Sequence, residues 1–199
     1  MKNVMKHSKK GILMVTMLAT LLSFAKEAPF YTIEKGAKRT SLTLNFVKQG
    51  NLLSIKDVNG VILYKELIQN SGTFTKAFDL TSLPNGAYVY ELDKDLEINV
   101  IPFLVTHGTV LFDKEKEETI YKPFTRVKGN IVYVSKLELK NEPLKIEIYA
   151  ITNYGDELLM SETIEGTTNI ERVYKFKGLS RGDYKIVYRT AGREFVKMI

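Results

Sequence analysis

Beyond residue 26 the chain alternates. Ser41-Leu42-Thr43-Leu44-Asn45-Phe46 sets polar against apolar positions, and Leu53-Ser54-Ile55-Lys56 continues in the same style. A period of two puts every apolar side chain of a strand on one face. Asn59-Gly60 follows, then Val61-Ile62-Leu63-Tyr64, and Phe78, Leu80, Tyr88, Tyr90 and Leu92 keep the period. No stretch after residue 26 carries the spacing of an amphipathic helix. Asn-Gly between two apolar runs predicts a tight hairpin of type I′, which requires positive φ at both central residues. Short alternating segments bounded by turn residues predict an all-β sandwich.

The pattern then repeats at offsets of 94 to 96 residues. Pro29-Phe30 is matched by Pro123-Phe124, and the Asn59-Gly60 turn by Tyr154-Gly155. The run from Phe78 to Tyr88 aligns with the run from Tyr174 to Tyr184, giving L-x-x-G-x-Y twice, as Leu83, Gly86, Tyr88 and as Leu179, Gly182, Tyr184. Val100 aligns with Val196. This predicts a duplication, each copy of about seven strands. L-x-x-G-x-Y resembles the tyrosine corner of Greek-key sandwiches, where a Tyr opening a strand bonds back to the backbone across the preceding turn. On that reading Leu83 and Leu179 plug the end of a core, Gly86 and Gly182 let the chain turn into the strand, and both tyrosines are structural.

The N-terminus reads differently. Lys2, Lys6, Lys9 and Lys10 precede an uncharged apolar run from Gly11 to Ala25, with small Ser23 and Ala25 at the spacing a signal peptidase reads. This is the order of a secretory signal peptide cleaved after Ala25. Retention as a membrane anchor is the alternative, against which the run is short of the roughly 20 residues a spanning helix needs. Four of the 29 Lys plus Arg precede residue 26, so 25 remain against all 23 Asp plus Glu, and the net charge falls from +6 to +2. The basic balance therefore reports targeting and gives no case for nucleic-acid binding. The chain has no Cys, so an exported form carries no disulfide and each core must hold by packing.

The organisation expected is all-β: an N-terminal signal peptide helix over 1–25, then two tandem immunoglobulin-like (Greek-key) β-sandwich domains over 26–104 and 123–199. Between them, 105–122 is expected to be a linker with room for one short strand at Val110-Leu111-Phe112, a turn at Thr106-His107-Gly108 and a solvated charged run from Asp113 to Glu118.

The stretch from Ile55 to Leu63 and the stretch from Phe78 to Tyr90 resemble the C-terminal sorting domains of the type IX (Por) secretion system, which share a D-x-x-G hairpin and an L-x-x-G-x-Y strand entry, and belong with fibronectin type III-like sandwiches in general style. The resemblance covers about 40 residues of the first unit, with a weaker copy in the second. It implies a small bacterial sandwich found on exported, often surface-attached proteins. The better match is the internal copy, which leaves a sorting signal and a sandwich reused for another purpose both open.

Candidate chemistry is sparse. After residue 26 the one His is His107, with no Ser in a G-x-S-x-G elbow and no Cys beside it. Zinc needs three or four N, S or carboxylate ligands, and with one His the set would be nearly all carboxylate. Asp57-Val58-Asn59-Gly60 begins like a calcium loop but lacks the later acids and closing Glu. No cofactor and no metal is expected. Two carboxylates could still make a glycosidase, and Tyr154 at a hairpin tip could be a sugar platform. The expectation is a non-enzymatic protein of the envelope or surface, in the periplasm or outside the cell, acting through contact with another envelope or surface protein. The alternative is a carbohydrate- or ligand-binding module, and the oligomeric state is open.

Overall fold

The computed structural model describes residues 29–36, 39–178 and 182–199; the expected signal peptide and Leu179 of the second corner lie outside the described residues. The described chain is all-β. Its first half runs β1 (Tyr31–Lys35), β2 (Thr40–Val47), β3 (Leu52–Asp57), β4 (Ile62–Leu67), β5 (Gly72–Phe78), β6 (Gly86–Asp93), β7 (Glu97–Thr106), β8 (Thr109–Phe112) and β9 (Glu118–Tyr121). The second half runs β10 (Phe124–Lys128), β11 (Ile131–Leu137), β12 (Leu144–Thr152), β13 (Gly155–Ile164), β14 (Asn169–Lys175), β15 (Tyr184–Thr190) and β16 (Arg193–Met198).

Every ladder is antiparallel, and the strand order is written twice. A three-stranded sheet β1-β2-β5 accompanies β4-β3-β6-β7, and a three-stranded sheet β10-β11-β14 accompanies β13-β12-β15-β16. Even a register shift recurs, at Ile55/Lys56 in the β3–β4 ladder and at Ile148/Tyr149 in the β12–β13 ladder. Each half buries its own apolar cluster, as sandwich-like pairs of sheets must. Leu42 and Leu44 of β2 meet Leu53, Ile55, Tyr90, Leu92, Ile101 and Phe103 of the larger sheet. Val132 and Val134 of β11 meet Ile146, Ile148, Ile186 and Tyr188.

Two expectations need correction here. The alternation of 41–46 puts Phe46 inward, but it is 70% exposed, and Val47 is buried instead. A bulge between Leu44 and Val47 sets Phe46 at φ 57 and shifts the phase of the strand by one. The segment 105–122 is no linker. Val105 is buried on β7, β8 pairs with the end of β7 (Phe103↔Phe112 through Thr106↔Thr109), and β9 pairs with its start (Glu97↔Tyr121 through Val100↔Glu118). Val110 joins the first core and Phe112 packs against it. Apolar side chains at Val110, Phe112 and Ile120 outweigh the charged run between them, which makes a single 3₁₀ turn whose residues Lys114–Lys116 are exposed.

Candidate functional site

The first corner is built as a side chain reaching back over its own turn. Tyr88 is buried against Phe103, and its hydroxyl donates to the Pro84 carbonyl at 2.8 Å. Leu80, within the 3₁₀ turn ahead of the corner, is the fully buried residue, and Leu83 is only half-buried against the same core. Gly86 is not in the left-handed region. A Cβ there would only touch the Tyr88 ring at 3.6 Å, so the turn does not need glycine for its φ. Gly182 does sit there, at φ +93. Tyr184 packs edge-on against Phe176, with ring centroids 4.7 Å apart.

The turns are distributed differently from the sequence expectation. Asn59-Gly60 is not type I′, because only Gly60, at φ +80, is positive. The Gly60 N–H donates to the Asp57 carbonyl at 3.1 Å, and the Asp57 carboxylate accepts from the Asn59 and Val61 N–H groups. The residue that resembled a calcium ligand thus caps a wider turn with a glycine bulge, and one of its carboxylate oxygens, Oδ1, accepts both bonds there. Positive φ at both central residues occurs instead at His107-Gly108 and at Ala191-Gly192. The His107 N–H donates to the Asn85 side chain at 2.8 Å, which ties the β7–β8 turn to the first corner. Tyr154 stands fully exposed at the β12–β13 tip, followed by Gly155 at φ +121.

What the tertiary structure brings together is a face that no motif announced. Register partners share a face of a sheet, so Ser54, Glu91 and Val100 lie side by side on the outer face of the larger first sheet. Glu91 is nearly buried there. It accepts from Lys56 at 2.5 Å and from both terminal nitrogens of Arg193, which stands directly after the β15–β16 turn of the second half. Lys140 pairs with Glu118 of β9 at 2.8 Å across the same boundary. An open cleft of about 530 Å³ runs along this contact, lined by Lys56, Glu91, Val100, Glu118, Glu142 and Arg193 among others. Burial would raise the Glu91 carboxyl, but the hydrogen bonds from Arg193 and Lys56 outweigh it and hold the carboxyl below its ordinary value. A carboxylate held ionised between two cations is a fastener, not a proton donor at neutral pH.

A second network covers the outer face of the β12–β15–β16 region. Lys145 binds Glu147 at 2.6 Å, Arg189 binds Glu147, and Arg189 binds Glu194 at 2.8 Å. The Lys145 hydrogen bond, with help from Arg189 and Tyr149 and against some desolvation, pulls the Glu147 carboxyl down to about 2. Beside these saturated ion pairs lie uncovered apolar positions. Ala87, Leu104 and Leu111 are register neighbours on the outer first face and are exposed. Leu96, Phe124 and Val196 line a shallow groove of about 340 Å³ beside β16.

None of this was legible as a motif. Glu91 and Arg193 are ordinary outward positions of alternating strands, and strand alternation carries no signal for a partner 102 residues away. Among the described residues, no group of three His, Cys, Asp or Glu side chains is placed to hold a metal, and no helix is long and apolar enough to cross a membrane. Compared with models of known protein families and with curated proteins, the chain matches none.

Proposed function

We propose that this chain is an exported, non-enzymatic protein of a bacterial envelope or cell surface that works by protein–protein contact. In this reading a cleaved signal peptide precedes two tandem immunoglobulin-like, Greek-key sandwiches of fibronectin type III-like order. The observation that supports the architecture is the doubled strand order, β1-β2-β5 with β4-β3-β6-β7 and then β10-β11-β14 with β13-β12-β15-β16. What supports the mode of action is the division of the surface. Its convergent charges are spent on ion pairs within the chain, while half-exposed apolar side chains remain along open sheet faces and edges. The resemblance to type IX sorting domains points the search for a partner to surface-attached proteins.

The sugar-binding alternative has one feature on its side, the fully exposed Tyr154. No second ring stands free beside it on β12, because Tyr149 is half-buried with the Lys185 ammonium 4.9 Å from its centroid. Residues 26–199 carrying a photo-crosslinker at Leu111 or Val196, exposed to envelope fractions, test the reading. One discrete protein adduct, competed by unlabelled protein, is the expected result. Retention on glycans that is lost in Tyr154→Ala, with no protein adduct, would replace it by the alternative.

A further inference from the structure

The duplication supplies its own control. In the first half, the outer edge of β7 is paired along nearly its whole length, by β9 over Glu97–Val100 and by β8 over Phe103–Thr106. Its counterpart β16 has β15 on one side and no strand on the other among the described residues. The correspondence is tight: Asn99 opposes Leu92 as Phe195 opposes Tyr188, both shifted by 96 residues from one copy to the other. An unpaired edge leaves a row of N–H and C=O groups without partners and is a template for an added strand.

The surroundings of this edge are specific. Leu96 and Phe124, 55% and 48% exposed, form an apolar wall beside Val196, itself 53% exposed, and Pro123 closes the groove. Lys197 is exposed and has no carboxylate partner among the described residues. Laying the β9 register of the first half onto β16 puts Tyr121, Ile120, Thr119 and Glu118 opposite Arg193, Glu194, Phe195 and Val196, and brings Glu117 opposite Lys197. The chain thus holds, one residue ahead of its own covering strand, the acid that the uncovered edge lacks.

We propose that the β16 edge receives an extended antiparallel strand from a partner protein. That strand carries an acidic residue opposite Lys197, where the β9 register places Glu117. Main-chain hydrogen bonds supply affinity and the alternate side chains supply selectivity. The inference rests on the protein–protein reading above and names its surface.

The test uses residues 26–199 and a blocked synthetic peptide of residues 117–122, Glu-Glu-Thr-Ile-Tyr-Lys, followed by amide hydrogen exchange. With peptide at ten times its Kd, exchange of the β16 edge amides is expected to slow by about tenfold. A peptide with both Glu changed to Lys is expected to lose binding to the wild-type chain and regain it on Lys197→Glu. Unchanged exchange along β16 overturns the proposal. So does faster exchange at 97–100, which would mean that the peptide only displaces β9. A concentration-dependent dimer abolished by Val196→Lys would put a second copy on the edge and overturn it as well. If the protein adduct formed from the crosslinker at Leu111 persists unaltered in Lys197→Glu and Val196→Lys, strand addition alone falls; if no adduct forms on any variant, the contact reading falls with it.

Discussion

Two tyrosines on one strand separate packing from hydrogen bonding. Tyr88 and Tyr90 both lie on the core face of β6, but the Tyr88 hydroxyl reaches Pro84, whereas the Tyr90 hydroxyl is buried without a partner. A buried hydroxyl with a bond is worth about 1 kcal/mol, and one without a bond costs about as much to bury. Tyr88→Phe is therefore expected to lower stability by about 1 kcal/mol, and Tyr90→Phe to leave it unchanged or raise it by about 1 kcal/mol. Urea unfolding of the two single variants reads the contrast, and equal loss in both would remove the corner hydrogen bond from the account. The two corner glycines divide in the same way. Gly182→Val meets a left-handed φ and is expected to cost more than Gly86→Val, whose backbone is ordinary. Comparable melting temperatures for the two would contradict the assigned conformations.

At the scale of elements, charge decides how the outer faces hold. Glu147 on β12 is clamped by Lys145 on its own strand and Arg189 on β15, and its carboxyl lies at about 2 against an ordinary 4.5. The folded value is depressed, so protonation favours unfolding. The contribution of this carboxylate is fully present above pH 4.5 and is lost as pH falls from there toward 2. The gap in melting temperature between the wild-type chain and Glu147→Gln is expected to be constant above pH 5 and to close across that window. A gap that persists unchanged at pH 2.5 would show that the substitution acts through packing. The same scale explains the failed linker. A charged hexad is a poor predictor of a free loop when apolar residues on either side find a strand edge within reach, as Val110, Phe112 and Ile120 find β7.

At the scale of the molecule, the β8–β9 excursion sets where the second half starts. It returns the chain from Thr106 at the end of β7 to Tyr121 beside Glu97 at its beginning. From there the β15–β16 turn meets the outer face of the first sheet, and Arg193 closes on Glu91. Removing Arg193 leaves a nearly buried carboxylate with Lys56 alone, a costly state that water can relieve if the halves part. Arg193→Ala is accordingly expected to increase the radius of gyration in small-angle scattering, with both cores still folded. Unaltered scattering would mean that the β9 and Lys140 contacts hold the halves together alone. Since the second half encloses its own apolar cluster, residues 123–199 alone are expected to unfold cooperatively with β-type circular dichroism. A random coil would mean that one core depends on the other.

Alternation and turn residues by themselves determined that the chain is all-β, that its pattern recurs with a shift near 95 residues, and that Tyr88 and Tyr184 fall near the start of strands. These are local properties: a period of two and a turn residue act within a few positions, so they are readable without a partner. The phase slip at Phe46, the true turn type at Asn59-Gly60 and the pairing of β8 and β9 with β7 were decided by tertiary structure. Each depends on which strand lies alongside, and a bulge or an added strand is chosen by the packing it permits. The same holds for Lys56, Glu91 and Arg193. Any outward charge on a strand reads as solvated surface until the fold lays another surface over it, and only then does burial turn an ordinary Glu into the joint between the two halves.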